Sequence, residues 1–323
     1  MTPPFVSRPT ELRLRHAAES QPGGRAYENR RPIVVPAAAD GLALVAMLRL
    51  RFPEVPAGDW EARCAAGRFL HPCGRVLNAA ECLPAGMRII QLFPDCVEPA
   101  VATDIRVVHE DDALLVLDKP APLPMHPSGR YNRNTLQHFL ALALDPPPLH
   151  AHRLDANTTG LVVLAKSKRD CHAIQRQFRA GTVRKTYLVR TISSPRDDHF
   201  VVDAPISRTP GQTGTHLADA AAGKPARTGF RVLRRDADGT ALLEADLATG
   251  RTNQIRVHLW LAGHPVCGDP SYLPDGQIGG TQTLPVDAPP LCLHAWRLSL
   301  RHPRDEHPLT FNSHRNPAWQ QPQ

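Results

Sequence analysis

No apolar run in the 323 residues approaches the ~20 that a membrane-spanning helix needs. The first thirty residues scatter Arg8, Arg13, Arg15 and Arg25 among prolines and glycines and contain no signal-peptide core, so a cytoplasmic protein that touches no membrane is expected. Cysteine occurs seven times, at 64, 73, 82, 96, 171, 267 and 292, but never as CxxC. An odd number of thiols without a secretion signal fits reduced cysteines better than disulfides, and the first four are spaced too widely for a zinc finger. There is no GxGxxG, and Gly223, Lys224 and Pro225 are not followed by the Ser or Thr with which a phosphate-binding loop holds magnesium. Dinucleotide and P-loop chemistry are therefore disfavoured. Nothing repeats at a fixed period.

Charge is what the chain has in excess. Thirty-eight Lys and Arg against 31 Asp and Glu leave a formal net charge of +7. From Lys166 to Arg190 there are eight basic residues and one acid, Asp170. Such a surface suits a polyanionic partner such as nucleic acid, although a solvated helix face can have the same composition.

Residues 1–40 are rich in Pro, Arg and small residues without periodicity and read as a flexible segment. Between 41 and 98, LALVAMLRLRF reads as a helix broken by Pro56 and Gly58, and DWEARCAAG as a second one ending at Gly67. RVL and MRIIQLF follow as short strands, and a linker near Asp95 to Thr103 leads into a main domain over 101–310. There, IRVVHEDDALLVLDKP reads as two strands around an acidic turn, and Pro120, Pro122, Pro124 and Pro127 exclude a helix after it. Asn134 to Leu144 is an expected helix, LVVLA a strand, Arg169 to Gly181 a helix and KTYLVRTI a strand. Hairpins and loops fill 193–240; TALLEADL is a strand, QIRVHLWLAG a helix, and LHAWRLSL belongs to a final strand pair. Residues 311–323 read as a flexible tail. Strands mostly neighbour strands, so the expected class is α+β with a mixed, mainly antiparallel sheet rather than repeated βαβ units.

Two stretches carry chemistry. In HRLDANTTGLVVLAKSK, Asp155 sits in a polar turn ahead of an apolar strand, two residues from Arg153. An aspartate there is a turn residue as readily as a catalytic one. In TGRTNQIRVHLWLAGHPVCGD, Thr252 is placed as an N-cap and Arg256 falls in the first helical turn, where the helix dipole disfavours a cation. An arginine in that place calls for a carboxylate, and Asp155 is the candidate. Asp269, beside Gly268, reads as a structural turn residue.

Together these motifs resemble those of the RluA-type pseudouridine synthases. HRLDANTTGLVVLAK is similar to their HRLD-x-x-TSGLLLLAK signature, and GRTNQIRVHLWLAGHPVCGDPSY to their GRTHQIRVH and GHPIxGDxxY segments. EDDALLVLDKPAPLPMHPSGRYNRNTL resembles the first motif of that family, KTYLV its K-x-Y, GKPART its GK-x-A-x-T, and LHAWRLSLRHP its closing LHA and HP. These matches run in order over about residues 104–305.

The resemblance implies a pseudouridine synthase fold preceded at 41–98 by a small S4-like RNA-binding α/β module. It implies an enzyme that breaks the N1–C1′ bond of a uridine within ribosomal or transfer RNA, turns the base and rejoins it through C5, with no cofactor and no metal. No obligate protein partner is implied, and a monomer is expected. Asp155 would attack ribose or base or remove a ribose proton, Arg256 would pair with it, and Tyr187 would stack on the base and help remove the C5 proton. Arg153 would enter the space left by a flipped uridine, with Lys166, Lys168, Arg184 and Lys185 on phosphates. This chain departs from the pattern at Asn253, where the family has His, at Pro122 for Gly and at Thr159 for Ser; its module lacks the usual Arg-Leu-Asp opening and carries Asp59 and Glu61. An inactive RNA-binding relative is one alternative, which the joint presence of Asp155, Tyr187 and Arg256 argues against. A glycosidase is another, but it needs a second acid about 5 to 9.5 Å away.

Overall fold

The computed structural model describes residues 9–21, 26–211, 214–280 and 283–321. It divides into a unit of residues 24–98 and a larger one formed by 1–23 together with 99–323. Helix α1 (Pro9–Glu19) therefore belongs to the larger unit although it precedes the smaller one.

In the smaller unit, strand β1 (Tyr27–Val34), helices α2 (Leu44–Arg51) and α3 (Ala57–Ala65), and strands β2 (Phe69–Leu70) and β3 (Arg88–Cys96) form an antiparallel sheet ordered β1-β3-β2 under two helices. Leu44, Leu48, Trp60, Phe69 and Ile89 make its core. The expected helices are both present, and the second stops at Gly67, whose φ of +67° ends it. RVL is not a strand: Gly74 turns the chain there and Val76 forms a single bridge with Leu70.

The expected flexible segment differs more. Residues 1–8 and 22–25 lie outside the described residues, but 9–19 are helical and 27–34 are paired with β3 from Tyr27 opposite Cys96 to Val34 opposite Arg88. Strand β1 is an edge, where Pro32 costs no ladder bond and arginines face outward, so its sequence shows no apolar alternation. Helix α1 hides its role behind charge: Leu14 and Ala18 are buried in the core, and buried Glu11 accepts the Val107 amide at 2.7 Å while pairing with Arg15 at 3.1 Å. A main domain starting at residue 101 would thus omit part of its own core.

The larger unit continues with β4 (Arg106–Glu110), β5 (Leu114–Lys119), α4 (Leu136–Ala143), β6 (Leu149–His150), β7 (Thr159–Ala165), α5 (Lys168–Ala180), β8 (Arg184–Thr191), β9 (His199–Asp203), β10 (Arg227–Arg235), β11 (Ala241–Leu247), α6 (Gln254–Leu261), β12 (Leu293–Arg301) and β13 (Pro308–Asn312). Among the described residues these strands form one ten-stranded sheet, ordered β4-β5-β7-β12-β8-β11-β10-β9, with β6 on β7 and β13 on β12. All pairings are antiparallel except β7 with β12, which makes the sheet mixed and mainly antiparallel as expected.

Strands β5 and β7 are apolar at nearly every position because both faces are covered. Leu115, Leu117, Val162 and Leu164 meet α1 and α4, while Leu114, Val116, Leu161 and Val163 meet α5 and Phe311. The parallel contact of β7 with β12 depends on Gly160, which has φ +111°; a Cβ there would lie 2.3 Å from the Ala295 carbonyl oxygen. Close backbone approach five residues after Asp155 therefore fixes where the preceding loop begins.

Nor is the C-terminal segment a loose tail. Arg315 binds Asp118 at 3.0 Å and Asp104 at 3.1 Å, Trp319 is buried, and the Trp319 carbonyl accepts from Arg190 at 3.0 Å. Its polar composition is spent on these internal contacts; residues 322–323 lie outside the described residues. Among the described residues no helix is long and apolar enough to cross a membrane.

Candidate active site

Asp155 lies in the loop between β6 and β7, closed by a Thr158 amide bond to its own carbonyl at 3.1 Å. Beneath that loop, the buried Lys119 ammonium donates to the carbonyls of Pro120 and Leu123 at 3.0 Å and of Ala156 at 3.1 Å. It thereby ties the proline-rich segment to the residue after Asp155. Burial pulls its pKa down to about 7, with the Asp155 charge opposing the fall.

Arg256, in the first turn of α6, faces two carboxylates. Its Nη1 is 3.3 Å from Asp155 Oδ2, whereas its Nε and Nη2 each reach an Asp269 oxygen at 2.7 Å. The bidentate partner is therefore Asp269, and the expectation that Asp155 alone answers Arg256 and that Asp269 is a mere turn residue is corrected. Asp269 has no exposed side-chain surface and also accepts the amides of Ser271 at 2.9 Å and Tyr272 at 3.1 Å. Burial opposes the Arg256 charge, but the hydrogen bonds it donates to Asp269 and the charges of both aspartates hold its pKa above the ordinary value. The guanidinium carbon also sits 4.9 Å from the centroid of the Tyr272 ring.

Asn253, not Thr252, occupies the N-cap of α6, in the left-handed region at φ 57°, which asparagine tolerates better than threonine. Thr252 is exposed. The Asn253 amide donates to the Tyr272 hydroxyl at 3.0 Å and its oxygen accepts from Arg256 Nη1 at 3.3 Å. Tyr272 donates in turn to the His216 carbonyl at 2.7 Å. The departure from the family pattern at this position is thus built into the support of Arg256.

Asp155, Arg153, Lys185, Tyr187 and Arg256 all line one cavity of about 500 Å³, together with Arg179 and Arg251. Among the described residues that line it, five are Lys or Arg and Asp155 is the one acid. Burial, and secondarily the Asp155 charge, push the Tyr187 phenol well above its ordinary pKa, so it stays protonated at neutral pH. Burial and then Arg251 lower Lys185 to about 8, and its ammonium donates to the Thr249 carbonyl at 3.1 Å.

The other basic candidates lie elsewhere. Lys166, Lys168 and Arg184 are exposed and outside the cavity lining, with Lys166 paired to Glu110 at 2.9 Å. Arg190, at the end of the basic stretch, is buried against Asp236 at 2.6 Å and is no part of a positive surface. Arg179 and Arg251 were the missed members. Both were visible as arginines beside a glycine turn, but only the tertiary fold turns them toward Asp155.

Residues 113–260 match the family described as RNA pseudouridylate synthase. Over 307 residues the chain is 36% identical to the ribosomal large subunit pseudouridine synthase D of Nitrosomonas europaea, covering 91% of this chain and 87% of that protein. It is 34% identical over 184 residues to the mitochondrial tRNA pseudouridine(32) synthase of Saccharomyces cerevisiae, covering 55% of this chain and 39% of that one. Among solved structures, human RNA pseudouridylate synthase domain containing 4 superposes with a TM-score of 0.53 at 29% identity, over 66% of this chain and 89% of that one. The glycosidase and inactive-relative alternatives find no support in these likenesses. With the motifs in order, the mixed sheet and a near full-length relative agreeing, the chain belongs to the RluA-type pseudouridine synthases and is an RNA pseudouridine synthase.

Proposed function

We propose that this enzyme converts a defined uridine of large-subunit ribosomal RNA to pseudouridine, with Asp155 as the reacting carboxylate. The observation that carries the assignment of the site is the partly exposed Asp155 held by a doubly anchored arginine within a cation-lined cavity. The near full-length likeness to a large-subunit ribosomal enzyme favours that RNA over transfer RNA. In the reaction the N1–C1′ bond breaks, a C5–C1′ bond forms, the C5 proton leaves and N1 gains one. Attack on ribose or base, or removal of a ribose proton, each uses the Asp155 carboxylate, whose Oδ2 lies 3.3 Å from Arg256 Nη1. Tyr187, kept as a neutral phenol, stacks on the base and assists departure of the C5 proton. Arg153 fills the stack when the uridine flips out, and Lys166, Lys168, Arg184 and Lys185 meet phosphates, with Arg179 and Arg251 at the cavity wall. The test is a map of pseudouridines in total RNA from cells with and without the gene. One or a few sites in large-subunit ribosomal RNA should disappear; loss confined to transfer RNA would overturn the choice of substrate.

Residues 24–98 act as an S4-like accessory RNA-binding module. Support comes from two helices over a small antiparallel sheet and from exposed Arg49 and Arg51 at the end of α2 with half-buried Arg68 nearby in sequence. Charge alone argues less strongly, since this unit has nine Lys and Arg against eight acids. Replacing Arg49, Arg51 and Arg68 together by Gln is expected to flatten the slope of log affinity against log salt by roughly 0.7–0.9 for each phosphate that is no longer neutralised. An unchanged slope and affinity would mean that these arginines do not hold RNA.

A further inference from the structure

Outside the cavity of Asp155, the β12–β13 turn gathers His302, Asp305 and His307 in the pattern His-x-x-Asp-x-His. One ligand atom from each lies within 4.8 Å of the others. His302 Nδ1 is 2.7 Å and His307 Nδ1 2.6 Å from the same oxygen, Asp305 Oδ1, and the two rings stack with centroids 5.0 Å apart. The turn is closed by the His302 amide to the His307 carbonyl at 2.9 Å and the Glu306 amide to the His302 carbonyl at 3.0 Å. A second turn, β4–β5, brings Asp111, whose Oδ2 is 3.7 Å from His302 Nε2 and 2.6 Å from His109 Nε2.

We propose that His302, Asp305 and His307 bind a divalent transition-metal ion of the zinc type. Two imidazole nitrogens and a carboxylate oxygen are the donor set that suits zinc, and imidazole disfavours magnesium or calcium. Geometry argues for the ion: both Nδ1 atoms converge on one Asp305 oxygen, and an ion held there would leave His302 Nε2 on the side of Asp111, 3.7 Å away, where an outer carboxylate can orient the ring. Bonds of about 2.0–2.2 Å need these ligand atoms to open by less than about 1 Å. Asp305 and His307 are more than half exposed, which gives an entry path and leaves remaining coordination positions to water. The neighbouring cations are engaged elsewhere, Arg301 with the Glu306 carbonyl at 3.0 Å and Arg304 with Asp170 at 3.0 Å. The ion would pin the end of the β12–β13 hairpin to the β4–β5 turn through Asp111.

The test titrates the chelator-stripped full-length protein with zinc chloride by calorimetry, beside His307→Ala and Asp305→Asn. His307 is exposed, so its loss leaves the fold intact, and Asp305→Asn keeps an acceptor for the imidazoles while removing the charge. One zinc per chain is expected, weakened by at least about tenfold in each variant, with pseudouridylation in the absence of zinc unchanged. Overturning results are an absence of saturable binding, or binding of equal strength in both variants. The latter would mean that zinc goes to other exposed donors such as Cys73 with His71, 3.0 Å apart.

Discussion

Asp155→Asn folds, binds RNA, and releases tritium from C5-labelled uridine in RNA more slowly by on the order of ten-thousandfold. The expectation rests on how little else the substitution disturbs. The loop is closed by the Asp155 carbonyl and held from below by Lys119, neither of which involves the carboxylate. Arg256 gives up one 3.3 Å hydrogen bond and keeps its two bonds to Asp269. Asparagine has the same shape but cannot be an anionic nucleophile or base at neutral pH. The thermal midpoint should stay near that of the parent, and tritium release at a comparable rate would remove Asp155 from the chemistry.

Arg256→Lys should be the second most damaging change, with turnover lowered about a hundredfold or more and RNA affinity little altered. A lysine keeps the charge and loses the fork, and the fork is what this site uses: Nε and Nη2 satisfy Asp269 while Nη1 reaches Asp155. A single ammonium cannot serve both aspartates. It will settle on the fully buried Asp269, because an unpaired carboxylate there costs several kcal/mol, and Asp155 will be left unaimed. Asp269→Asn approaches the same defect from the other side, by loosening the anchor without touching Asp155. The readout is the single-turnover rate with RNA saturating, together with a binding isotherm. A lysine variant as fast as the parent would mean that Arg256 only neutralises charge.

Much of this site was legible as sequence because its parts are local. Asp155 sits within a turn-then-strand pattern, and Arg256 was conspicuous as a cation at a helix start. Asp269 was misread for a physical reason: it follows Gly268, whose φ of +72° and tight approach to the Pro290 carbonyl do make a turn, so the local reading was true and incomplete. Only the fold shows that the same turn delivers a carboxylate 13 residues back along the chain to Arg256. Helices α2 to α6 could be read from apolar periodicity and from glycine or proline stops. Helix α1 and strand β1 could not, since one buries a glutamate and the other is an edge carrying proline and arginine. The pairing of β7 with β12, distant in sequence, has no local signal beyond a single glycine.

Because α1 belongs to the larger unit while residues 24–98 form another, the ribosome makes this protein in an awkward order. Glu11 emerges first, yet the amide it must accept, Val107, follows 96 residues later. At ~5–20 residues per second the helix waits about 5–20 s for its partners, with Leu14 and Ala18 uncovered. The smaller unit has all its strands by then and can close first. Asp104 waits longer still, since it receives Arg15 of α1 at 2.6 Å and, at 3.1 Å, Arg315, which is made 211 residues after it. One carboxylate thus joins a segment made before the smaller unit to one made long after it, and this part of the larger unit cannot close until Arg315 has been synthesised.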